Sequence, residues 1–370
     1  MAQAIWVQAT SAQAFVCLAL APIGASRKMS GYPNMKAIAQ TEAGSAAVLK
    51  DVEMARPVPK QQELLVRVYA SGINPTCVKQ REQAPPFTPF VIGRDAAGEV
   101  VEVGKECSKF KVGDHVYFSG DRRTNGTNAQ YTVVAEYLCG RKPASLSWGE
   151  AAAMPLVTLT AWEAFFEQVG LTPGQQRSVL VTAGAGGVGS IAIQIAARVL
   201  GLTVVATASR EETVQFCREM GAHHVVNHRK DLGEQLKEAG VPKVDIVMNC
   251  ADWGNANLDA WAGILKPLGR IVSILPPTGS LEPGTMTKLF FLRAQLLLEL
   301  MWTRTLSDAE PAKQGEILDA ASKLFDVGTL RHTLRTQYDF IAEGLQKGHE
   351  FSEKGQAIGK ICIVDRTAPS

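Results

Sequence analysis

One glycine-rich turn constrains this chain more than any other feature. Residues 178–201 read Ser-Val-Leu-Val-Thr-Ala-Gly-Ala-Gly-Gly-Val-Gly, then Ser-Ile-Ala-Ile-Gln-Ile-Ala-Ala-Arg-Val-Leu-Gly. This sets G-x-G-x-x-G at Gly184, Gly186 and Gly189, between a β run and an amphipathic helix. Each glycine then has its own physical role. Gly184 permits the tight turn, Gly186 lets the backbone approach a pyrophosphate, and Gly189 lets the helix pack closely on the strand. Gly187 and Val188 lie among them at the helix N-terminus, whose free N–H groups favour an anion. Ile191, Ile195 and Val199 recur at helical spacing, and Ala192 and Ala196 leave room against a sheet. The segment predicts a dinucleotide-binding unit; the plainer alternative is a turn that only packs.

The choice of dinucleotide falls about 20 residues beyond Gly189, where an Asp or Glu would accept the ribose 2′-OH of NAD. The chain has Ala208-Ser209-Arg210 there. A carboxylate would repel a 2′-phosphate, whereas a hydroxyl and a guanidinium can bind it through charge-assisted hydrogen bonds. The expected cofactor is therefore NADP(H). Ser209-Arg210-Glu211-Glu212 also reads as a capping box that opens the next helix.

Composition narrows the class. The 370 residues exceed one comfortable core, and 46% hydrophobic with 20% charged residues describes an ordinary globular chain of two domains. A net charge of +2 provides no field for binding nucleic acid or anionic lipid. Seven cysteines form no CxxC pair and no metal-ligand cluster, which fits a reducing, cytoplasmic location. The apolar run from Leu289 to Trp302 is too short to cross a bilayer and predicts a core or an interface.

Residues 1–34 contain no Asp or Glu and read either as an organellar leader or as an extension without regular structure. From Met35 short runs of period two, punctuated by Gly, Pro and Asp, predict antiparallel β structure. After Trp148 strand and helix alternate, which predicts a doubly wound parallel α/β sheet. The last segment has a helix near 315–326, a strand near 329–336, a helix near 340–354 and a closing strand, Lys360 to Val364. It is too short for a domain and is expected to complete the first, β-rich one. The expected division is 35–155 with 299–370, around a central unit of 156–298.

With these residues in hand, the chain resembles the medium-chain dehydrogenase/reductase superfamily, in its zinc-free quinone oxidoreductase branch and the subgroup of zinc-type alcohol dehydrogenase-like proteins. The resemblance is carried by Ser71-Gly72-Ile73-Asn74-Pro75, Ile92-Gly93-Arg94-Asp95-Ala96-Ala97-Gly98, Leu159-Thr160-Ala161-Trp162, Ala185-Gly186-Gly187-Val188-Gly189, Ala206-Thr207-Ala208-Ser209-Arg210-Glu211-Glu212 and Ala357-Ile358-Gly359-Lys360. It implies a GroES-like catalytic domain in two sequence pieces around a Rossmann domain, NADPH in the cleft and a homodimer. It also implies cofactor contacts at Thr158, His228, Asp252, Ser273 and Leu275.

The departures bear on chemistry. Where the family's zinc enzymes carry Cys and G-H-E, this chain has Asn74 and Gly93-Arg94-Asp95, and arginine does not ligate Zn²⁺. The four-Cys structural lobe is missing, since Cys107 and Cys139 stand alone; Cys77 with His115 is the one pairing left that could recruit a metal. The zinc-free branch commonly has N-P-V-D-T-Y, but here Cys77 replaces the Asp and Lys79 the Tyr. Lys79 reads either as a donor to a substrate carbonyl oxygen or as a solvated surface lysine. The expected reaction is zinc-free hydride transfer from NADPH to a quinone or an α,β-unsaturated carbonyl. The alternatives are a zinc-independent alcohol dehydrogenase or ketone reductase, and a non-catalytic NADPH-binding protein.

Overall fold

The structure, a computed structural model, describes residues 33–369. The expectation for the amino-terminal extension therefore falls almost wholly outside the described residues. The first part of the chain supplies β1 (Asn34–Gln40), β2 (Lys50–Ala55), β3 (Glu63–Ile73), β4 (Phe90–Val91), β5 (Asp95–Val103), β6 (His115–Ser119), β7 (Tyr131–Ala135) and β8 (Cys139–Arg141). Every pairing among them is antiparallel. Gly and Pro breaks keep the strands short, and only β3 and β5 are long enough to span the sheet.

The central part supplies β9 (Ser178–Val181), β10 (Thr203–Thr207), β11 (His224–Val226), β12 (Val244–Asn249), β13 (Leu265–Ser273) and β14 (Gln295–Leu298). They form one parallel sheet in the order β11-β10-β9-β12-β13-β14. The reason is visible in β9: Val179 and Val181 enter one hydrophobic cluster while Leu180 enters another. A strand buried on both faces carries an unbroken apolar run and needs helices on each side. The architecture is thus a GroES-like β-rich unit with a doubly wound, Rossmann-type sheet.

Two last strands, β15 (Leu334–Asp339) and β16 (Lys360–Val364), join the first part. β16 runs antiparallel to β3 and parallel to β15, in a sheet ordered β15-β16-β3-β5-β6-β8.

The apolar run from Leu289 to Trp302 is divided between elements: the helix Pro283–Leu292 stops at Arg293, whose φ of 50° is left-handed, and β14 follows as the edge strand. Phe290 and Phe291 are left 78% and 81% exposed. The strand placed near 329–336 lies at Leu334–Asp339, because Gly328 with φ 73° turns the chain first. Ser209 does not cap the helix after β10. Arg210 is the N-cap of Glu211–Met220, its N–H donating to Thr213 Oγ1 at 3.2 Å, and Glu212 instead faces the Arg210 guanidinium.

Candidate active site

Strand order reverses between β9 and β12, and in such sheets the crevice at the strands' carboxyl ends is where ligands bind. Two loops meet there. Thr182 donates to Asn249 Oδ1 at 2.7 Å and accepts from the Cys250 N–H at 2.8 Å. Asn249 in turn donates to Ser273 Oγ at 2.9 Å, and Ser273 donates to the Leu275 carbonyl at 2.8 Å. These buried side chains fix the rim that carries Asp252, which is exposed, and Leu275, which is half-buried.

The glycines of the turn differ in what a side chain would meet. A Cβ on Gly184 would press on Ala206 and the Cys217 sulfur, both at 2.9 Å, and one on Gly189 would lie 2.3 Å from the Ala183 carbonyl. Those two are held by close packing. A Cβ on Gly186 would meet only the Ala183 oxygen, at 3.2 Å. Gly186 is the N-cap of the helix Gly187–Gln194, in which Gly187 and Val188 fill the first two positions. The empty side of Gly186 therefore opens beside free helix N–H groups, a cradle of the kind a pyrophosphate needs. The helix Pro155–Trp162 brings Thr158 to this region fully buried, with a hydroxyl that has no hydrogen-bond partner. A bound ligand is one way to satisfy such a hydroxyl.

At the end of β10, Ser209 and Arg210 are half-buried. Arg210 Nη2 donates to the Gln356 carbonyl at 3.0 Å, and its Nε lies 3.0 Å from Glu212 without hydrogen-bond alignment. His228 follows β11 on the same rim, exposed, and partial burial with the neighbouring Arg229 charge lowers its pKa.

Asn74 opens a different environment, at the end of β3. It is 2% exposed; its Nδ2 donates to Asp95 Oδ2 at 2.8 Å, and its Oδ1 accepts from Lys360 Nζ at 2.6 Å. Lys360 also donates to the Ile73 carbonyl at 2.8 Å and stands 3.9 Å from Asp95. Asp95 Oδ1 accepts the Leu156 N–H at 3.0 Å, which ties this network to the helix bearing Thr158. Burial raises the Asp95 pKa to about 6, against the pull of Lys360 and of these hydrogen bonds. The preceding residue, Gly359, donates its N–H to the Ala185 carbonyl in the glycine-rich turn at 2.8 Å. A Cβ on Gly187 would press on Lys360 Cδ at 2.9 Å. The polar network and the dinucleotide turn are thus in direct contact.

Sequence alone singles out neither Asp95 nor Lys360. The signal available is their place in Gly93-Arg94-Asp95 and Gly359-Lys360, but nothing local says that strands so far apart in sequence meet. Lys79, by contrast, is exposed on the last turn of the helix Pro75–Arg81 and is not part of the network.

The donor set does not suit a catalytic zinc. Arg94 is 1% exposed, and its guanidinium donates to the carbonyls of Asp121 (2.8 Å) and Thr124 (3.1 Å) and to Gln80 Oε1 (2.9 Å). Burial lowers its pKa only to about 10, so it remains a cation, and a guanidinium does not ligate Zn²⁺. The Asn74 amide oxygen, its one possible metal ligand, is already taken by Lys360. Cys77 is buried beside Arg94 with its thiol pKa raised, chiefly by burial. His115 is out of reach: it pairs with Glu99, whereas Ser119 pairs with Asp95, and four residues along a strand span about 13 Å. Among the described residues no group of three or more His, Cys, Asp or Glu could hold a metal ion.

Residues 60–157 match the alcohol dehydrogenase GroES-like domain family, and residues 187–303 match the zinc-binding dehydrogenase family. A zinc-type alcohol dehydrogenase-like protein of Staphylococcus aureus is 35% identical over 322 residues, covering 85% of this chain and 95% of that protein. The 2-methylene-furan-3-one reductase of Solanum lycopersicum is 30% identical over 350 residues, covering 91% of this chain and 81% of the reductase. A mycobacterial protein solved in complex with NADPH superposes with a TM-score of 0.75 at 25% identity, covering 89% of this chain and 99% of its own. A GroES-like unit joined to a parallel sheet with a glycine turn at its switch point, and relatives matched along nearly their whole length, place this chain in the medium-chain dehydrogenase/reductase superfamily, as an oxidoreductase of the kind that works with a nicotinamide cofactor.

Proposed function

We propose that this protein is an NADPH-dependent reductase that delivers hydride to the electron-poor carbon of a quinone or α,β-unsaturated carbonyl, without zinc. The observation that carries the reading is Ser209 with Arg210 at the end of β10, where an NAD site would present a carboxylate. The name of the tomato relative, a reductase of an unsaturated ketone, supports the substrate class. So does Arg94, a cation held by backbone carbonyls that cannot ligate the Lewis acid an alcohol dehydrogenase uses.

When bound, the reduced nicotinamide supplies the hydride. The chain's own residues hold and orient it. Gly184 and Gly189 shape the turn, and the N–H groups around Gly186, Gly187 and Val188 take the pyrophosphate. Thr158 supplies a buried hydroxyl, His228 borders the adenosine, and Asp252, Ser273 and Leu275 line the ribose and nicotinamide. Asn74 keeps one amide N–H beyond its bond to Asp95, directed by Lys360 and Asp95. Lys79 is the donor on the open side of the cleft for the oxygen that gains charge, and solvent protonates the product. The acceptor carbon and the hydride donor must stand about 3 to 3.5 Å apart.

With NADPH the protein should turn over 1,2-naphthoquinone or a 2-alkenal and not simple ketones. Turnover of ketones alone would favour the alcohol dehydrogenase reading, and no turnover of any of the three would favour a binding protein. Arg210→Glu should raise the KM for NADPH by about tenfold while sparing NADH, because it replaces a cation by a charge that opposes the 2′-phosphate. Equal effects on the two cofactors would refute the NADP assignment. The purified protein should hold no stoichiometric zinc, and chelation should leave its activity unchanged; one zinc per chain with activity restored by zinc alone would overturn the reading. The exposed edge of β14 with Phe290 and Phe291 suits a homodimer, which sedimentation would test. The six free cysteines among the described residues fit a reducing, cytoplasmic setting, and no helix among those residues is long and apolar enough to cross a membrane.

A further inference from the structure

Beside Arg210 lies a cavity of about 480 Å³ whose walls include Arg210, Glu212, Arg335, Thr336, Gln356 and Ile358. Its two arginines come from different sheets. Arg210 follows β10, whereas Arg335 belongs to β15, at the point where the register between β15 and β16 shifts. The Arg335 stem runs close over Gly359, where an added Cβ would lie 3.2 Å from its Cγ. Its guanidinium lies 4.8 Å from the centre of the Phe216 ring, within cation–π range, and only 3.9 Å from Glu219, too far for a hydrogen bond. The stack holds the group in place and leaves its edge N–H groups free for an acceptor. Arg210 is oriented by Gln356, with an Nε that has no aligned acceptor. Glu212 is the only carboxylate in the lining and is 64% exposed, so a bound anion can displace it into water.

Two guanidiniums facing one opening, with the part-exposed carboxylates of Glu212 and Glu219 beside them for an anion to displace, suit a phosphomonoester dianion, which one arginine neutralises only in part. We infer that Arg335 is the second arm of the 2′-phosphate site, so that NADP(H) is gripped by one arginine from each sheet. This rests on the NADPH reading above. The 2′-phosphate then does more than mark the cofactor: it bridges β15 of the catalytic unit to the Rossmann sheet across the entrance of the cleft.

The test uses the full chain and four ligands: NADPH, NADH, 2′,5′-ADP and 5′-AMP. Arg335→Gln keeps an unbranched polar side chain and removes the guanidinium with its charge. It should weaken NADPH and 2′,5′-ADP by about tenfold, leave NADH and 5′-AMP within about twofold, and flatten the salt dependence of NADPH binding. Arg335→Lys should recover part of the loss, because the charge returns without the planar fork. If Arg335→Gln leaves NADPH and 2′,5′-ADP unchanged while Arg210→Gln weakens them, the second arm is overturned and the NADPH reading stands. Equal weakening of all four ligands would mean that Arg335 acts only through packing, and overturns the inference as well. A wild-type protein that binds NADPH no better than NADH would overturn both.

Discussion

Replacing Gly186 with valine is expected to abolish binding of NADPH and NADH alike while the chain stays folded. The backbone at Gly186 is extended, with φ −76° and ψ 175°, a conformation any residue adopts, so the substitution introduces no backbone strain. Its Cβ would meet only one protein atom within van der Waals range, the Ala183 oxygen. The two γ-methyl groups would instead occupy the mouth of the turn and cover the helix N–H groups. Gly189 provides the contrast. A Cβ there lies 2.3 Å from Ala183 O and 2.9 Å from Gly184 Cα, so Gly189→Val should lower the melting temperature before any ligand is added. Fluorescence titration with thermal unfolding separates the two effects. Wild-type affinity for NADPH in a folded Gly186→Val protein would remove the dinucleotide from this turn.

Lys360→Met should destabilise the protein by roughly 3 kcal/mol at neutral pH, because it strips the one cation from a fully buried carboxylate. The pH dependence has a definite sign. Asp95 titrates near 6 in the folded chain against an ordinary 3.8, so the folded state holds its proton more tightly. The contribution is fully present below about 3.8 and is lost as pH rises through about 6. Without Lys360 that pKa climbs further, and the gap from wild type should widen between pH 5 and pH 8. Asp95→Asn added to Lys360→Met should recover most of the loss, since a neutral amide no longer needs the ammonium. Urea unfolding of the three proteins at both pH values decides it. A double variant no more stable than Lys360→Met would show that Lys360 acts through its bonds to Asn74 and Ile73 and not through charge.

These two experiments probe opposite kinds of information. The glycine turn is local: strand, turn and helix follow one another within 24 residues, and spacing alone states what each glycine must do. The parallel sheet is legible for a similar reason, since β9 and β12 are apolar runs bounded by helix signals. The network of Asn74, Asp95 and Lys360 is not local. Lys360 and Ile73 are 287 positions apart, and no period or motif links them. Arg335 is invisible in the sequence for the same reason, because it comes beside Arg210 only through the pairing of β15 with β16 and the stack on Phe216. The edge strand β14 is hidden differently. Its apolar residues merge with those of the preceding helix, and the break lies in the left-handed backbone of Arg293, a residue type that gives no turn signal.

The place of β16 also orders events in time. It lies in the interior of its sheet, between β15 and β3, yet it is made after every other strand. As the chain leaves the ribosome, β3 can pair with β5 and β7, but the end of β3 that meets β16 keeps its backbone groups open until Lys360–Val364 emerges. The central α/β sheet has no such dependence, because each of its strands finds a partner within its own stretch of sequence. Synthesis should therefore deliver a formed nucleotide-binding unit first, beside a catalytic unit whose closing contact has the longest loop to shut. A nascent chain stalled before β16 is the species most exposed to strand exchange with its neighbours on a polysome.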